Sequence, residues 1–456
     1  MKEFFKYRGI VEGFYGKEWT HSQRISIIKF MGKYNYNLYI YAPKTDPFHR
    51  LKWKERYPYE YLKKFEDLIK VSAESGVNFS MALSPGLSIT HSSEKDLDTI
   101  FMKYRDFIDM GVNVISLFFD DIPEELQNIS DKKMYKDLAS AQADFSNRLF
   151  SEMKNYKENI SLIVCPTVYH GEVSNYHVSL GNNLNPGINI MWTGKEVCSE
   201  ILGTENTEKI SDAFKRKVIF WDNYPVNDSL MVGEMHVGAY EGRSPELYGY
   251  SDGIILNPMN QAYASMISIA DASNYMKDPT KYDSTISLQN TLKELFPDIH
   301  ESFEKFVHYN LKSPIHRKNY DKLKELTEKF ENEYSEGNTE LAEKYEKIIS
   351  DDIFLIEKLK NADANIYGDI SKWVNELISR LKALKETFRL IALSNKIHCE
   401  FPSYPDVHEV EKQIKITEKS VSDTITFETF SGGIDFYGFC FRYIINAKSL
   451  VKLTEY

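Results

Sequence analysis

The sequence predicts an α/β chain, a (β/α)8 TIM barrel followed by a C-terminal α-helical bundle, and three observations lead there. Short apolar runs alternate with amphipathic stretches of helical length eight times within about the first 280 residues. Several of the runs end in a polar residue, Gly or Pro, as barrel strands do where they open onto loops. Beyond Pro279 the composition turns to Lys, Glu and Leu at helical spacing. An open doubly wound sheet is the competitor, but no Gly-rich phosphate turn follows the first run.

The expected strands are 8–13, 36–42, 78–85, 113–121, 161–168, 189–194, 217–224 and 253–259. Most are continuous apolar runs, the pattern of parallel strands covered on both faces. Between them, 20–34 places Ile25, Ile28 and Met31 on one stripe behind a Thr20 or Ser22 cap. Residues 57–75, 94–110, 133–156 and 261–276 read as further helices. In the second half, Leu323, Leu326, Phe330 and Tyr334 form one stripe. Breaks are expected at Gly337-Asn338 and at Gly368-Asp369, ahead of a helix over 373–393. Another helix is expected over 407–421, and the remaining tail joins the same domain. The division is therefore 1–280 for the barrel and 281–456 for the mainly helical domain.

Composition bounds the function. A net charge of −11 leaves no basic face in surplus for nucleic acid or an anionic membrane. The 42% apolar and 27% charged fractions are those of an ordinary soluble protein. Thirty tyrosines suit the stacking of sugar rings, though a Tyr-rich genome explains them equally. Cys165, Cys198, Cys399 and Cys440 are scattered without metal spacing, and no cofactor is expected. His170, His177 and His236 form no ligand set. A nucleophilic Ser or Cys elbow is absent. No run is apolar enough to cross a membrane, and the N-terminus MKEFFK is no signal peptide as it stands. A cytoplasmic protein is expected, or a secreted one if a leader was removed.

The stretch 113–123 organises the rest. It is apolar up to Phe119, then carries Asp120 and Asp121, and Pro123 stops further pairing. Alternation along a strand sends the two acids in different directions, so both can touch one ligand. The plain alternative is a solvated strand end with a helix cap. Other strand ends carry polar groups too. Gly13 lets a ligand approach the backbone or simply makes a turn, and Lys44 is either a surface charge or a donor to hydroxyls. Tyr169, Thr193, Trp221, Asp222, Asn223, Asp228 and Asn257 complete a set suited to binding hydroxyls and stacking a ring.

These motifs resemble one family. RGIVEGFYG at 8–16 with Trp19, YIYAPK at 39–44 and DPFHR at 46–50 are similar to the pattern of glycoside hydrolase family 84. So are FDD at 119–121, MWTG at 191–194, WDN at 221–223 with Asp228, and NPM at 257–259. The likeness spans roughly 8–280 and touches every barrel strand but the third. It implies a retaining exo-β-N-acetylglucosaminidase, acting on O-linked GlcNAc of proteins, in which the substrate's 2-acetamido oxygen attacks C1 and forms an oxazoline. Asp120 would hold the acetamido N–H and stay ionised, while Asp121 would begin protonated and serve as acid, then base. The Gly13 backbone, Lys44, Asp228 and Asn257 would bind hydroxyls. Tyr169, Thr193 and Trp221 would line the acetamido side, and Asn223 would donate to the developing oxazoline. Asp222 would contribute backbone rather than side chain. GlcNAc-ended glycans or hyaluronan fragments are the alternative substrates, and a non-catalytic GlcNAc-binding protein is a third reading. Glu12 is the rival carboxylate, expected toward the barrel floor.

Overall fold

The computed structural model describes residues 3–318, 321–335, 338–399 and 404–454; Gly337 and the Cys399 side chain lie outside these. The chain forms two compact units, 1–229 with 239–288, and 230–238 with 289–456.

In the first unit eight strands close a parallel barrel in sequence order. They are β1 (Tyr7–Glu12), β2 (Leu38–Tyr41), β3 (Asn78–Leu83), β4 (Val114–Phe118), β5 (Ser161–Cys165), β6 (Asn189–Trp192), β7 (Val218–Asp222) and β8 (Ser251–Leu256). β1 pairs with β2 through Gly9↔Leu38 and with β8 through Ile10↔Leu256, which closes the ring. Gly9 sits where a Cβ would lie 2.6 Å from the Leu38 carbonyl oxygen, so the strands meet there only because the side chain is absent.

The barrel core follows from the two-residue period of a strand. Val11, Ile40, Ala82, Phe118, Ile163, Met191, Ile219 and Ile255 pack together in the interior. The intervening residues face the helical layer, where Tyr39 and Tyr41 of β2 are fully covered. That parity decides where each strand aims its last side chains.

Helices between the strands form as the apolar spacing predicts. His21–Lys33 starts at a capping box in which Thr20 accepts from the Gln23 backbone and Gln23 reaches back. The single helix expected over 133–156 is two, Ile129–Met134 and Leu138–Tyr156, because Asp137 accepts from Ser140 N and starts a new one. In the second unit, Asn338 caps Thr339–Glu357 by accepting from Leu341 N at 3.1 Å. The break expected at Gly368 does not occur. Helix Ala364–Cys399 runs through it, with Ile366 and Ile370 buried on its inner face. A Cβ at Gly368 would meet nothing within 4 Å, so this glycine is a propensity cost of about 1 kcal/mol that packing overrides. Tyr437–Thr454 is a further helix, in the tail where composition predicts no particular element. Among the described residues no helix is long and apolar enough to cross a membrane.

Candidate active site

Extending the inward parity of every strand but β3 past its end predicts the pocket. Gly13 follows Val11, Lys44 follows Ala42, and Asp120 follows Phe118. Tyr169 continues from Cys165, Thr193 from Met191, Asn223 from Trp221 and Asn257 from Ile255. All of these line one cavity of about 250 Å3 at the C-terminal mouth of the barrel. Tyr15, Asp121, Trp221 and Asp228 complete its wall.

The two carboxylates reach that cavity by different routes. β4 ends at Phe118, and Phe119 N extends the ladder by one bond to the Cys165 carbonyl at 2.8 Å. Asp120 therefore points inward by parity and is almost fully buried. By the same alternation Asp121 would face away from the mouth. It takes a left-handed backbone instead, with φ +53°, which brings its side chain to the pocket. The divergence expected from strand alternation is thus a turn in the backbone, which costs a non-Gly residue about 1–3 kcal/mol.

Their surroundings separate the pair electrostatically. Asp120 Oδ2 accepts from the Lys44 ammonium, itself buried, while Asp120 Oδ1 has no hydrogen-bond partner. Burial pushes the Asp120 carboxyl up, but Lys44 beside it pulls it below its ordinary value. Burial likewise pulls the Lys44 ammonium down, and Asp120 lifts it above its ordinary value. Both shifts describe the same ion pair, ionised throughout the neutral range. Asp121 meets neutral donors: Tyr15 OH donates to Oδ2 at 2.6 Å and Tyr169 OH to Oδ1 at 2.9 Å. Burial and the neighbouring Asp121 raise both phenols, so both stay protonated.

The floor and far wall are a chain of amides. Gly13 N donates to Asn257 Oδ1 at 3.3 Å, and Asn257 Nδ2 to Asn223 Oδ1 at 2.9 Å. Asn223 Oδ1 also accepts from Trp221 Nε1 at 2.9 Å, and Asn223 Nδ2 donates to the Val197 carbonyl at 2.7 Å. An amide nitrogen carries two hydrogens, and Val197 takes one. The Trp221 ring fills the space that a Cβ on Gly13 would need, 2.5 Å away, so Gly13 is required by close approach. Asp228 Oδ2 accepts from Tyr15 N at 2.6 Å. The Thr193 hydroxyl is turned to the Glu196 carbonyl at 2.8 Å.

Several expectations change. Asp222 does not line the cavity. Its parity sends the side chain outward, where Arg243 donates to both oxygens at 2.5 and 2.9 Å and Tyr240 OH at 2.6 Å. Its carbonyl accepts from Asn257 N at 2.8 Å, so the backbone too holds the wall together. Glu12 faces the helical layer, not the floor. Arg24 grips it at 2.7 and 2.8 Å and Tyr39 OH at 2.5 Å, all buried. The Tyr169 hydroxyl is on Asp121. Two residues sit inside the motifs RGIVEGFYG and DPFHR but are not among the expected site residues: Tyr15, which shares the parity of Gly13, and Arg50, which only the folded loop brings near. Among the described residues no group of three or more His, Cys, Asp or Glu is placed to hold a metal ion.

Comparison with known proteins gives a consistent result. Residues 8–308 match the model of a family described as beta-N-acetylglucosaminidase. The protein O-GlcNAcases of Rattus norvegicus and Mus musculus are each 32% identical over 303 residues, 62% of this chain. The chain spans about a third of the length of those relatives, 32%. A solved O-GlcNAc hydrolase mutant from Thermobaculum terrenum superposes with a TM-score of 0.91 at 31% identity, covering 99% of this chain and 97% of that one. The structure of CpGH84B gives 0.79 at 26% identity, covering 97% and 77%.

Proposed function

The chain belongs to the beta-N-acetylglucosaminidase family, glycoside hydrolase family 84, and on that footing we propose that it is a retaining glycosidase removing terminal β-linked GlcNAc, including O-GlcNAc on protein serine and threonine. The observation that carries the reading is Asp120: a cavity-lining carboxylate held ionised by Lys44, with its second oxygen buried and unpartnered and Asp121 beside it. An unpartnered buried carboxylate oxygen is a costly group that an N–H donor would satisfy.

The substrate's acetamido N–H donates to Asp120 Oδ1, which aims the acetamido oxygen at C1. The oxygen attacks, the C1–O bond to the leaving group breaks, and Asp121 gives its proton to the departing oxygen. The positive charge on the oxazolinium ring then faces the Asp120 carboxylate. Water attacks C1 as Asp121 takes its proton back, and the acetamido group is restored with net retention. Glu12 takes no part as a nucleophile, because both oxygens are held by Arg24 and Tyr39 away from the cavity.

Asn223 keeps one amide hydrogen for the developing ring, and Asn257, Asp228, Lys44 and the Gly13 backbone offer the hydroxyl contacts. A cavity of about 250 Å3 suits one sugar ring at a chain end rather than a length of polymer, since pockets for larger ligands run to roughly 1,000 Å3. The protein-linked substrate is supported by what the mammalian and Thermobaculum relatives are called; glycans ending in GlcNAc would fit the same ring pocket.

The test uses aryl β-GlcNAc substrates whose acetamido group carries none to three fluorines. Rates should fall steeply with fluorination. Asp120→Ala should lower kcat by about 10²–10³ and flatten that dependence. A thiazoline mimic of the intermediate should bind the wild type tightly and Asp120→Ala much more weakly. Efficient cleavage of the glucoside lacking the acetamido group, or a glycosyl ester trapped on any carboxylate, would overturn the mechanism.

A further inference from the structure

The loop between β2 and the helix Tyr59–Glu74 brings a second cation, Arg50, toward the carboxylate pair besides Lys44. Arg50 does not line the cavity, yet it reaches Asp121 by two paths. Its Nη1 donates to Tyr15 OH at 3.0 Å, and that hydroxyl donates to Asp121 Oδ2 at 2.6 Å. Its Nη2 donates to the main-chain carbonyl of Asp121 at 3.1 Å. The second contact falls on the one residue of the carboxylate pair whose backbone is left-handed.

We propose that Arg50 is a positioning residue for the acid–base group: it holds Asp121 in its left-handed conformation and orients the Tyr15 hydroxyl on Asp121 Oδ2. The proposal rests on the glycosidase reading above. The physical reason is the fork of the guanidinium. One planar cation donates along two directions at once, which an ammonium on a flexible stem does not reproduce. Each contact does separate work. The carbonyl bond offsets a backbone conformation that is otherwise strained, and the tyrosine bond fixes which lone pair of Tyr15 is occupied, so that its proton faces the carboxylate.

The loop is built to hold this cation still. Asp46 accepts from Phe48 N at 2.8 Å, Tyr57 OH at 2.8 Å and Tyr41 OH at 3.0 Å. The buried Lys103 ammonium donates to the carbonyls of Phe48, Trp53 and Glu55 at 2.7, 3.0 and 2.7 Å, on both sides of Arg50. The His49 carbonyl accepts from Ser84 N at 2.9 Å. One loop therefore carries Lys44 to Asp120 and Arg50 to Asp121, and these two of its cations address the two carboxylates separately.

Proton donation is needed most when the leaving group is a poor one, so leaving-group dependence reads the positioning of Asp121 and is blind to general loosening of the fold. The experiment measures kcat/KM for aryl β-GlcNAc substrates over a range of phenol acidities in wild type, Arg50→Met, Tyr15→Phe and the double variant. For the least acidic phenols each single variant should lose about 10–100-fold. For the most acidic the loss should stay within about 3-fold, so the slope steepens. The double variant should lose no more than about 3-fold beyond the worse single one, because both act through Asp121. Affinity of Arg50→Met for the thiazoline mimic should change by less than about 3-fold, because Arg50 does not line the cavity. A uniform loss across the series, multiplying losses in the double variant, or lost binding of the mimic would overturn the proposal. Arg50→Lys, which keeps the charge but not the fork, carries the test should Arg50→Met not fold; an unchanged slope there also overturns the proposal. Absence of cleavage by the wild type would instead count against the glycosidase reading.

Discussion

At the scale of single residues, Lys44 is the most instructive group in the site. It is a cation placed where burial pulls its ammonium down, and Asp120 lifts it above its ordinary value. The converse holds for Asp120, whose carboxyl lies below its ordinary value because of Lys44 and despite burial. Activity that needs ionised Asp120 is present above that low value and is lost as pH falls through it. Replacing Lys44 with Met removes the strongest of the influences that lower the carboxyl and leaves Arg50 and His49 against burial, which pushes it up. Lys44→Met should therefore move the acid limb of kcat/KM for an aryl β-GlcNAc to higher pH, and a pH–rate profile checks it. An unmoved limb would assign that ionisation to another group. Stability follows the same sign. The pair's contribution is full above the unfolded carboxylate value of about 3.9 and is lost as pH falls through the lower folded value.

At the scale of elements, β7 shows what a period of two does to neighbouring residues. Trp221 and Asn223 face the cavity while Asp222, between them, is locked outside it by Arg243 and Tyr240. Removing one partner of a buried ion pair leaves the other charge stranded, which costs about 3–5 kcal/mol. Asp222→Ala should lower the urea midpoint by that much free energy, and the folded fraction should bind the thiazoline mimic within about 3-fold of wild type. Lost inhibitor binding at an unchanged midpoint would return Asp222 to the pocket. The motif WDN is expected to bring the backbone of Asp222 to the ligand, whereas the folded strand lines the cavity with the first and third members only. The same rule accounts for Glu12, which lies one position off the inward track of β1 and so meets Arg24 rather than substrate.

At the scale of the whole molecule, the closed barrel gathers residues from seven strand ends into one cavity about the size of a single ring. Such a pocket admits a chain end, so under the proposed function GlcNAc should be released one unit at a time from non-reducing ends, with internal linkages left alone. Incubation with long hyaluronan or chitin oligomers checks this by product size. A rapid fall in polymer length, ahead of free GlcNAc, would contradict the exo mode.

The barrel, its strand order and the floor of the site are all legible in the order of residues. Apolar runs of strand length repeat regularly, and in a closed parallel barrel every strand must end at the same face. Given the strands, parity alone brings Gly13, Lys44, Asp120, Thr193, Asn223 and Asn257 together. What depends on contacts between distant segments, or on a departure from the regular period, is settled only in the folded molecule. The left-handed turn at Asp121 breaks the alternation that sequence reasoning extends through it. Arg50 lies off any strand, 71 positions from Asp121, and its aim is set by a loop tied down from Lys103 and Asp46. The segment 230–238 joins the helical unit although barrel strands flank it on both sides. Gly368 marks a break by composition, but buried isoleucines on either side carry the helix through. Local periodicity is written along the chain, whereas the balance between a local preference and the packing that overrides it exists only once the chain has folded.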